Sequence, residues 1–101
     1  MQRLIEQVAD NGDVFEGRAR VGRVHYHLSV YDRFSGTEDE ARAAALIVEG
    51  QVTPLSQLDL ASLLRRRSEL ALRLADGRLL SFSMVNAEGR IRSTGRGLHA
   101  A

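Results

Sequence analysis

The sequence predicts a small all-β protein, mainly antiparallel, that folds as a curled β-barrel or sandwich of about six to seven short strands. Apolar and polar residues alternate with period two in several short stretches, and glycine, asparagine or aspartate separates these stretches at regular intervals. A third observation adds one short helix, because the leucines of residues 56–67 follow helical spacing instead. Strands of this length between turn signals are typical of small barrels and sandwiches.

The 101 residues are expected to form a single domain, because a chain of this length builds one modest core. The glycine-rich end predicts a frayed tail over residues 96–101. The chain contains no cysteine, which rules out disulfides and predicts a cytoplasmic location. It has neither a long apolar stretch nor a secretory signal, so no membrane partner is expected.

Residues 13–32 alternate most clearly, and their alternation changes phase at Gly22. The apolar side holds Phe15, Gly17, Ala19 and Val21 before the change and Val24, Tyr26, Leu28 and Val30 after it. A phase change at one glycine has two interpretations, a tight turn at Val21-Gly22 or a bulge in one long bent strand. Valine resists the positive φ that a primed hairpin turn needs, which favours the bulge and leaves the turn open.

The stretch before this segment, residues 3–9, is ambiguous between strand and helix. Its apolar residues fit one face of a helix. However, Asn11-Gly12 lies between this stretch and the next one, and that dipeptide between apolar stretches indicates a hairpin. We therefore predict a strand over residues 3–9 and a hairpin turn into a second strand that begins near Val14.

The middle of the chain combines an acidic loop with another strand. Thr37 and Glu40 have the spacing of a capping box, which predicts one or two helical turns in the loop. Residues 44–52 return to strand alternation, and Pro54 ends the strand because proline cannot donate a backbone hydrogen bond.

Residues 56–67 are the one convincing helix. Ser56 is placed to cap its beginning, and Leu60, Leu63 and Leu64 form an apolar stripe. Three consecutive arginines end it, where positive charge suits the helix dipole.

The last third predicts an antiparallel meander. A three-residue loop over residues 75–77 would pair Leu72 with Leu80 and keep the leucines of both strands on one face. A four-residue loop would pair Met84 with Ile91 in the same way.

The order strand–strand–strand–helix–strand–strand, over about residues 14–85, resembles an OB-fold, in which a helix falls between the third and fourth strands. The resemblance lies in the order of the elements and in no sequence motif. It therefore implies a small barrel and implies no particular ligand.

The basic residues suggest anion recognition as one function. All fourteen are arginine, with six arginines against nine acids in residues 1–50 and eight against four in residues 51–101. A guanidinium group recognises phosphate and carboxylate well, although a GC-rich genome would also favour arginine. The candidates for binding an anion or single-stranded nucleic acid are Arg18, Arg20, Arg23, Arg90 and Arg92. The near-neutral net charge and the few aromatic residues weigh against nucleic acid.

The pair His25 and His27 suggests a metal site as a second alternative. Residues two apart in a strand project from the same face, so both imidazoles could reach one ion. A third ligand would have to come from Glu16, Asp32 or His99, and nothing in the sequence fixes any of them nearby. No other cofactor is expected.

No motif for catalysis is present. The chain lacks a nucleophile elbow and a glycine-rich phosphate loop, so a non-catalytic protein is favoured over an enzyme. The main prediction is a binding or assembly module that acts through a protein partner or through self-association, because small barrels leave strand edges that pair with other chains. The apolar strand over residues 44–52 is the candidate edge for a homodimer.

Overall fold

The computed structural model describes residues 2–33, 47–67 and 69–100. These residues form six strands and one helix. The elements are β1 (Gln2–Glu16), β2 (Ala19–Arg33), β3 (Ile47–Pro54), α1 (Leu60–Arg66), β4 (Leu70–Arg73), β5 (Leu79–Met84) and β6 (Arg90–His99). The helical turns predicted near Thr37 lie outside the described residues.

The strands close into a barrel in the order β1-β2-β3-β6-β5-β4, and β4 returns to pair with β1. All six pairings are antiparallel, so the barrel consists of two three-stranded meanders joined edge to edge. This confirms the predicted small antiparallel barrel with one helix between the third and fourth strands. It departs from the OB-fold, which has five strands and is partly open.

The core lies inside the barrel and is apolar throughout the described residues, where no polar or charged residue is buried. Its members come from every strand and from α1. They are Val14, Val24, Tyr26, Leu28, Val30, Val48, Val52, Leu60, Leu63, Leu70, Leu72, Leu74, Leu80, Phe82 and Ile91. Within the strands these core residues lie two positions apart, as the alternation of apolar and polar residues predicted.

The first hairpin turns at Gly17-Arg18, a position that the alternation did not predict. Gly17 has φ +63°, and type II′ hairpin turns place glycine at this first position. The interpretation of Val21-Gly22 as a tight turn was therefore wrong. Val21 instead bulges out of β2, because Val14 pairs with Gly22 while the next residue of β1 pairs with Arg20. A bulge beside Gly22 is thus confirmed, but the single long strand over residues 13–32 was wrong, because β2 begins only at Ala19.

Phe15 lies on the outer face of the barrel, opposite to the expected side. Val14 points inward with 1% of its surface exposed, while Phe15 is half-buried beneath Arg73, whose Cζ lies 5.0 Å from the ring centroid. The turn at Gly17 explains the error. The turn separates β1 from β2, so the alternation that assigns residues of β2 to the inner face cannot be extended back to Phe15 in β1.

The strand predicted over residues 3–9 is confirmed, but the hairpin at Asn11-Gly12 was wrong because β1 continues through it. Gly12 is buried, and an added Cβ would meet the carbonyl oxygen of Arg73 and lie 3.1 Å from Tyr26 Cε2. Glycine here permits a close approach between strands, which a sequence pattern cannot distinguish from a turn.

The helix is shorter than predicted. It begins at Leu60, and Asp59 caps it by accepting a hydrogen bond from Ser62 N at 3.2 Å. The predicted cap, Ser56, instead accepts a hydrogen bond from Arg23 N at 3.1 Å and ties the end of β3 to β2. The C-terminal cap is Arg67, with φ 51° in the left-handed region.

The registers predicted for the second meander are confirmed. Leu72 pairs with Leu80, and Met84 pairs with Ile91. Gly77 supplies the positive φ, +93°, that a three-residue loop requires.

The end of β6 is more ordered than expected. We predicted a frayed tail from residue 96, but β6 continues to His99, which pairs with Leu79. Leu98 pairs with Leu80 and packs against the core, which gives this end of the strand an apolar anchor.

Replacing Gly50 by alanine is expected to lower the free energy of unfolding by about 1–3 kcal/mol, the usual cost of overpacking. The added Cβ would meet the carbonyl oxygen of His27 and lie 2.9 Å from Leu28 Cδ2. Gly22→Ala is the matched control, because the nearest atoms to its Cβ all belong to the side chain of Leu58, at 3.1 Å or more. Urea unfolding measures both variants, and equal losses would contradict the packing at Gly50.

Candidate functional site

The five predicted arginines do not form one continuous face. Arg18 lies in the first hairpin turn, and Arg20 Nη2 pairs with Asp13 Oδ1 at 3.0 Å. Arg23 is exposed on the outer face of β2 near the same end of the barrel. Arg90 and Arg92 lie on β6, which is separated from β2 by β3. The arginines therefore divide into two groups.

The two histidines share the outer face of β2 as predicted, but their candidate third ligands do not converge on them. His25 Nδ1 donates to Asn11 Oδ1 at 2.9 Å. Glu16 pairs with Arg66 at 2.9 Å near the first hairpin turn, and His99 lies at the end of β6. The side chain of Asp32 lies outside the described residues. Within the described ranges, no three or more histidine or acidic side chains are arranged to hold a metal ion.

A polar depression of about 180 Å³ lies on the outer face where β2, β3 and β6 adjoin. Its lining residues are His27, Ser29, Tyr31, Glu49, Gly50, Gln51 and Arg90. The strand registers bring His27, Gln51 and Arg90 into one row across the three strands. Two residues that the sequence had singled out for different reasons, His27 and Arg90, therefore meet at one site.

The charges around this depression are unevenly paired. Arg92 Nη2 lies 3.1 Å from Glu49 Oε1, so these two groups compensate each other. The guanidinium of Arg90 is exposed and has no ion-pair partner among the residues that the structure describes. Sequence reasoning missed Glu49 and Gln51 as site residues, because the pairing of β3 with β2 and β6 joins distant parts of the chain and leaves no local signal.

A second candidate site follows from the unequal lengths of the strands around β1. β1 pairs with β2 along almost all of its length but with β4 only over residues 13–16. No described strand covers the other edge of residues 4–12, which we call the open edge. The strand considered as a possible edge from the sequence, residues 44–52, is not one over the paired part of β3, because β3 pairs with β2 on one side and with β6 on the other.

The backbone groups of β1 alternate between its two edges. On β2, Arg23 N donates to Ser56 Oγ at 3.1 Å and Arg23 O accepts from Leu55 N at 2.8 Å, both on the β3 side. Both backbone groups of a residue point to the same neighbour in an antiparallel strand and alternate along it, so even-numbered residues of β2 point to β1. Their partners on β1 are also even-numbered. The residues directed at the open edge are therefore Gln7, Ala9 and Asn11.

A groove of about 330 Å³ runs beside the open edge, between β1 and the loop that joins β4 to β5. It is lined by Gln7, Val8, Ala9, Asp10, Tyr26, Leu74, Ala75 and Asp76. The hydroxyl of Tyr26 accepts a hydrogen bond from Ala75 N at 3.0 Å, which holds the loop across the end of the barrel. The groove thus has an apolar floor and a fixed far wall.

The far wall is also held by charge. Arg78 Nη1 lies 3.1 Å from Glu6 Oε1, and Arg78 Nε lies 2.8 Å from Asp76 Oδ2. The backbone amide of Arg78, which donates to Asp76 Oδ1 at 3.0 Å, is the main cause of a lowered pKa at Asp76. The hydrogen bond to Glu6 is the main cause of a raised pKa at Arg78. The lining of the groove contains two acids, Asp10 and Asp76, and no basic residue, so the groove carries net negative charge.

A third concavity, of about 370 Å³, lies between α1 and β5. It is lined by Leu63, Leu64, Arg67, Ser83 and Met84. Arg65 and Arg66 end the helix beside it, and Arg66 is engaged by Glu16. This position near the helix C-terminus agrees with the role in the helix dipole that the sequence suggested.

Comparisons with protein-family models, with curated proteins and with solved structures give no significant match. Among the described residues, no helix has the length and apolar character needed to cross a membrane. A function for this chain must therefore be inferred from its own residues and their geometry.

The carboxyl group of Asp76 is expected to titrate below its ordinary pKa of 3.8, because the Arg78 amide stabilises the ionised form. Because the pKa of Asp76 is lower in the folded state than in the unfolded state, this hydrogen bond stabilises the fold fully at pH values above the unfolded-state pKa. This stabilisation is lost as the pH falls through the folded-state value.

Carbon-detected NMR titration of Asp76 measures this pKa directly. Arg78→Gln keeps the backbone donor, so the pKa should rise only part of the way back. A value in the unmodified protein at or above the ordinary one would contradict the hydrogen bond.

Proposed function

We propose that the protein is a non-catalytic binding module that accepts an extended, basic segment of a partner protein as an added strand on the open edge of β1. The observation that carries the proposal is this edge itself, which stays uncovered by any described strand over residues 4–12. Extended peptides commonly bind by adding a strand to such an edge.

The backbone of the open edge supplies the affinity. Gln7, Ala9 and Asn11 direct their N–H and C=O groups outward, at the spacing that an incoming strand would match. Asn11 N currently donates to Asp10 Oδ1 at 2.7 Å, which is a local substitute for a strand partner. An incoming carbonyl oxygen could replace that contact without leaving a buried group unsatisfied.

The groove beside the edge supplies selectivity for side chains. Val8 and the ring of Tyr26 form an apolar floor, and Leu4 and Ile5 expose nearly half of their surface at the far end of the strand. Alternate side chains of an added strand would contact these apolar groups, because successive residues point to opposite faces.

Charge determines the kind of partner. Asp10 and Asp76 line the groove without a basic residue among the lining, so lysine or arginine in the added strand would be favoured. A second copy of this chain complements the groove less well, because residues 4–12 contain no basic residue. Antiparallel pairing centred on Val8 would also oppose Glu6 to Asp10, and pairing centred on Asp10 would oppose the two aspartates, whereas pairing centred on Ala9 would oppose no like charges.

The partner is thus a different protein, and the homodimer expected from the sequence becomes an outcome to be tested. We also propose a cytoplasmic location for this activity, which the absence of cysteine supports.

The binding test uses fluorescence anisotropy with a short labelled peptide in which lysine alternates with valine. We expect it to bind, and we expect a matched peptide with glutamate in place of lysine to bind much more weakly. Asp10→Lys should weaken the lysine peptide by about fivefold or more, because it turns a favourable cross-strand pair into a repulsive one. Glu88→Lys makes the same charge change in the loop between β5 and β6 and should leave binding unchanged.

Equal binding of both peptides, or equal losses in both variants, would contradict strand addition at β1. Absence of binding to either peptide would also contradict it. A dimer whose formation is blocked by Asn11→Pro would show that a second copy occupies the edge instead.

A further inference from the structure

We propose that the polar depression on the outer face of β2, β3 and β6 binds the phosphate group of a phosphate monoester, with Arg90 as its principal cation. This site lies on a different face from the groove beside β1, and the two adjoin at the hydrogen bond from Gln7 Nε2 to Ser29 Oγ, 3.3 Å long. Tyr26 faces the groove while its neighbour His27 faces the depression, because successive strand residues point to opposite faces. The two sites can therefore be tested separately.

The lining of the depression is rich in hydrogen-bond donors. The guanidinium of Arg90 presents a planar fork that matches two oxygens of a phosphate. The imidazole of His27 and the hydroxyls of Ser29 and Tyr31 line the same space. Four donor-bearing side chains around one depression suit a group that offers only acceptor oxygens.

The local charge also favours an anion. Glu49 is the one acid in the lining, and Arg92 lies 3.1 Å from its Oε1. This ion pair reduces the repulsion that Glu49 would exert on a bound anion. Because Arg90 has no ion-pair partner among the described residues, its charge is available for a ligand, and the three charged groups sum to +1.

The size of the depression limits the ligand to a small charged group. Its volume of about 180 Å³ is below the roughly 300–1,000 Å³ of pockets that enclose whole drug-sized ligands. A phosphate group fits inside, while the organic part of an ester would extend along the outer face. Three sources share this chemistry: free phosphate, a mononucleotide and the phosphorylated end of a short single strand.

The test is a titration of the full chain followed by two-dimensional amide NMR. The ligands are inorganic phosphate, adenosine monophosphate and a short oligonucleotide with a 5′-phosphate. Adenosine without phosphate is the matched control. We expect phosphate-bearing ligands to shift the amides of Gly50, Gln51 and Arg90 while those of Ala9 and Asn11 stay in place. The ligand that binds most tightly identifies the source of the phosphate.

Substitutions of single arginines distinguish binding at this site from a general attraction of the anionic ligand to positive charge on the protein. Arg90→Gln should weaken binding by about tenfold, because it removes charge-assisted hydrogen bonds. Arg23→Gln is the control, since Arg23 lies on the same face of β2 but four residues, or roughly 13 Å, from His27. Arg90→Lys keeps the charge but loses the fork, so it should fall between the two.

Several results would overturn the proposal. They are equal binding of adenosine and its monophosphate, equal losses in Arg90→Gln and Arg23→Gln, and no amide shifts at millimolar phosphate. If Arg90→Gln disturbs the fold, its amide spectrum will show it, and Arg90→Lys with Arg23→Gln then decides the outcome.

Discussion

The barrel depends on a short closure between two strands of very different length. β1 and β4 pair over four residues, whereas β1 and β2 are each fifteen residues long. Gly12 permits the closure because it lets the carbonyl of Arg73 approach β1. Beyond that point β4 ends and the chain continues into the loop before β5, which leaves both the open edge of β1 and the groove beside it.

Sequence alternation predicted those parts of the fold in which a loop and its two strands are neighbours in the chain. Leu72 and Leu80 meet as expected, because one register alone keeps both apolar sets on the inner face. Glycine residues were the least reliable basis for predicting turns and strands. Gly17 makes a turn but resembles a strand residue, while Gly12 resembles a turn but lies within a strand. The difference between them is backbone conformation and close contact, which the residue type does not encode.

The candidate sites were less predictable than the fold, because both depend on long-range pairing. His27 and Arg90 were identified individually, but only the pairing of β3 with both β2 and β6 places them at one depression. The open edge was assigned to the wrong strand for the same reason. The apolar content of residues 44–52 suggested that strand as the edge. The edge of β1 is uncovered because β1 is much longer than β4, and this difference is evident only in the assembled barrel.

Native-state amide hydrogen exchange along β1 tests the central claim most directly. An open edge predicts alternation: the amides of Gln7 and Ala9 should exchange quickly, while those of Val8 and Asp10, which point to β2, should be protected. The amides of Asp13 and Phe15, on the same edge but covered by β4, should be protected as well. Uniform protection from residue 6 to residue 16 would show that another strand or a second copy already covers the edge, and would contradict the account.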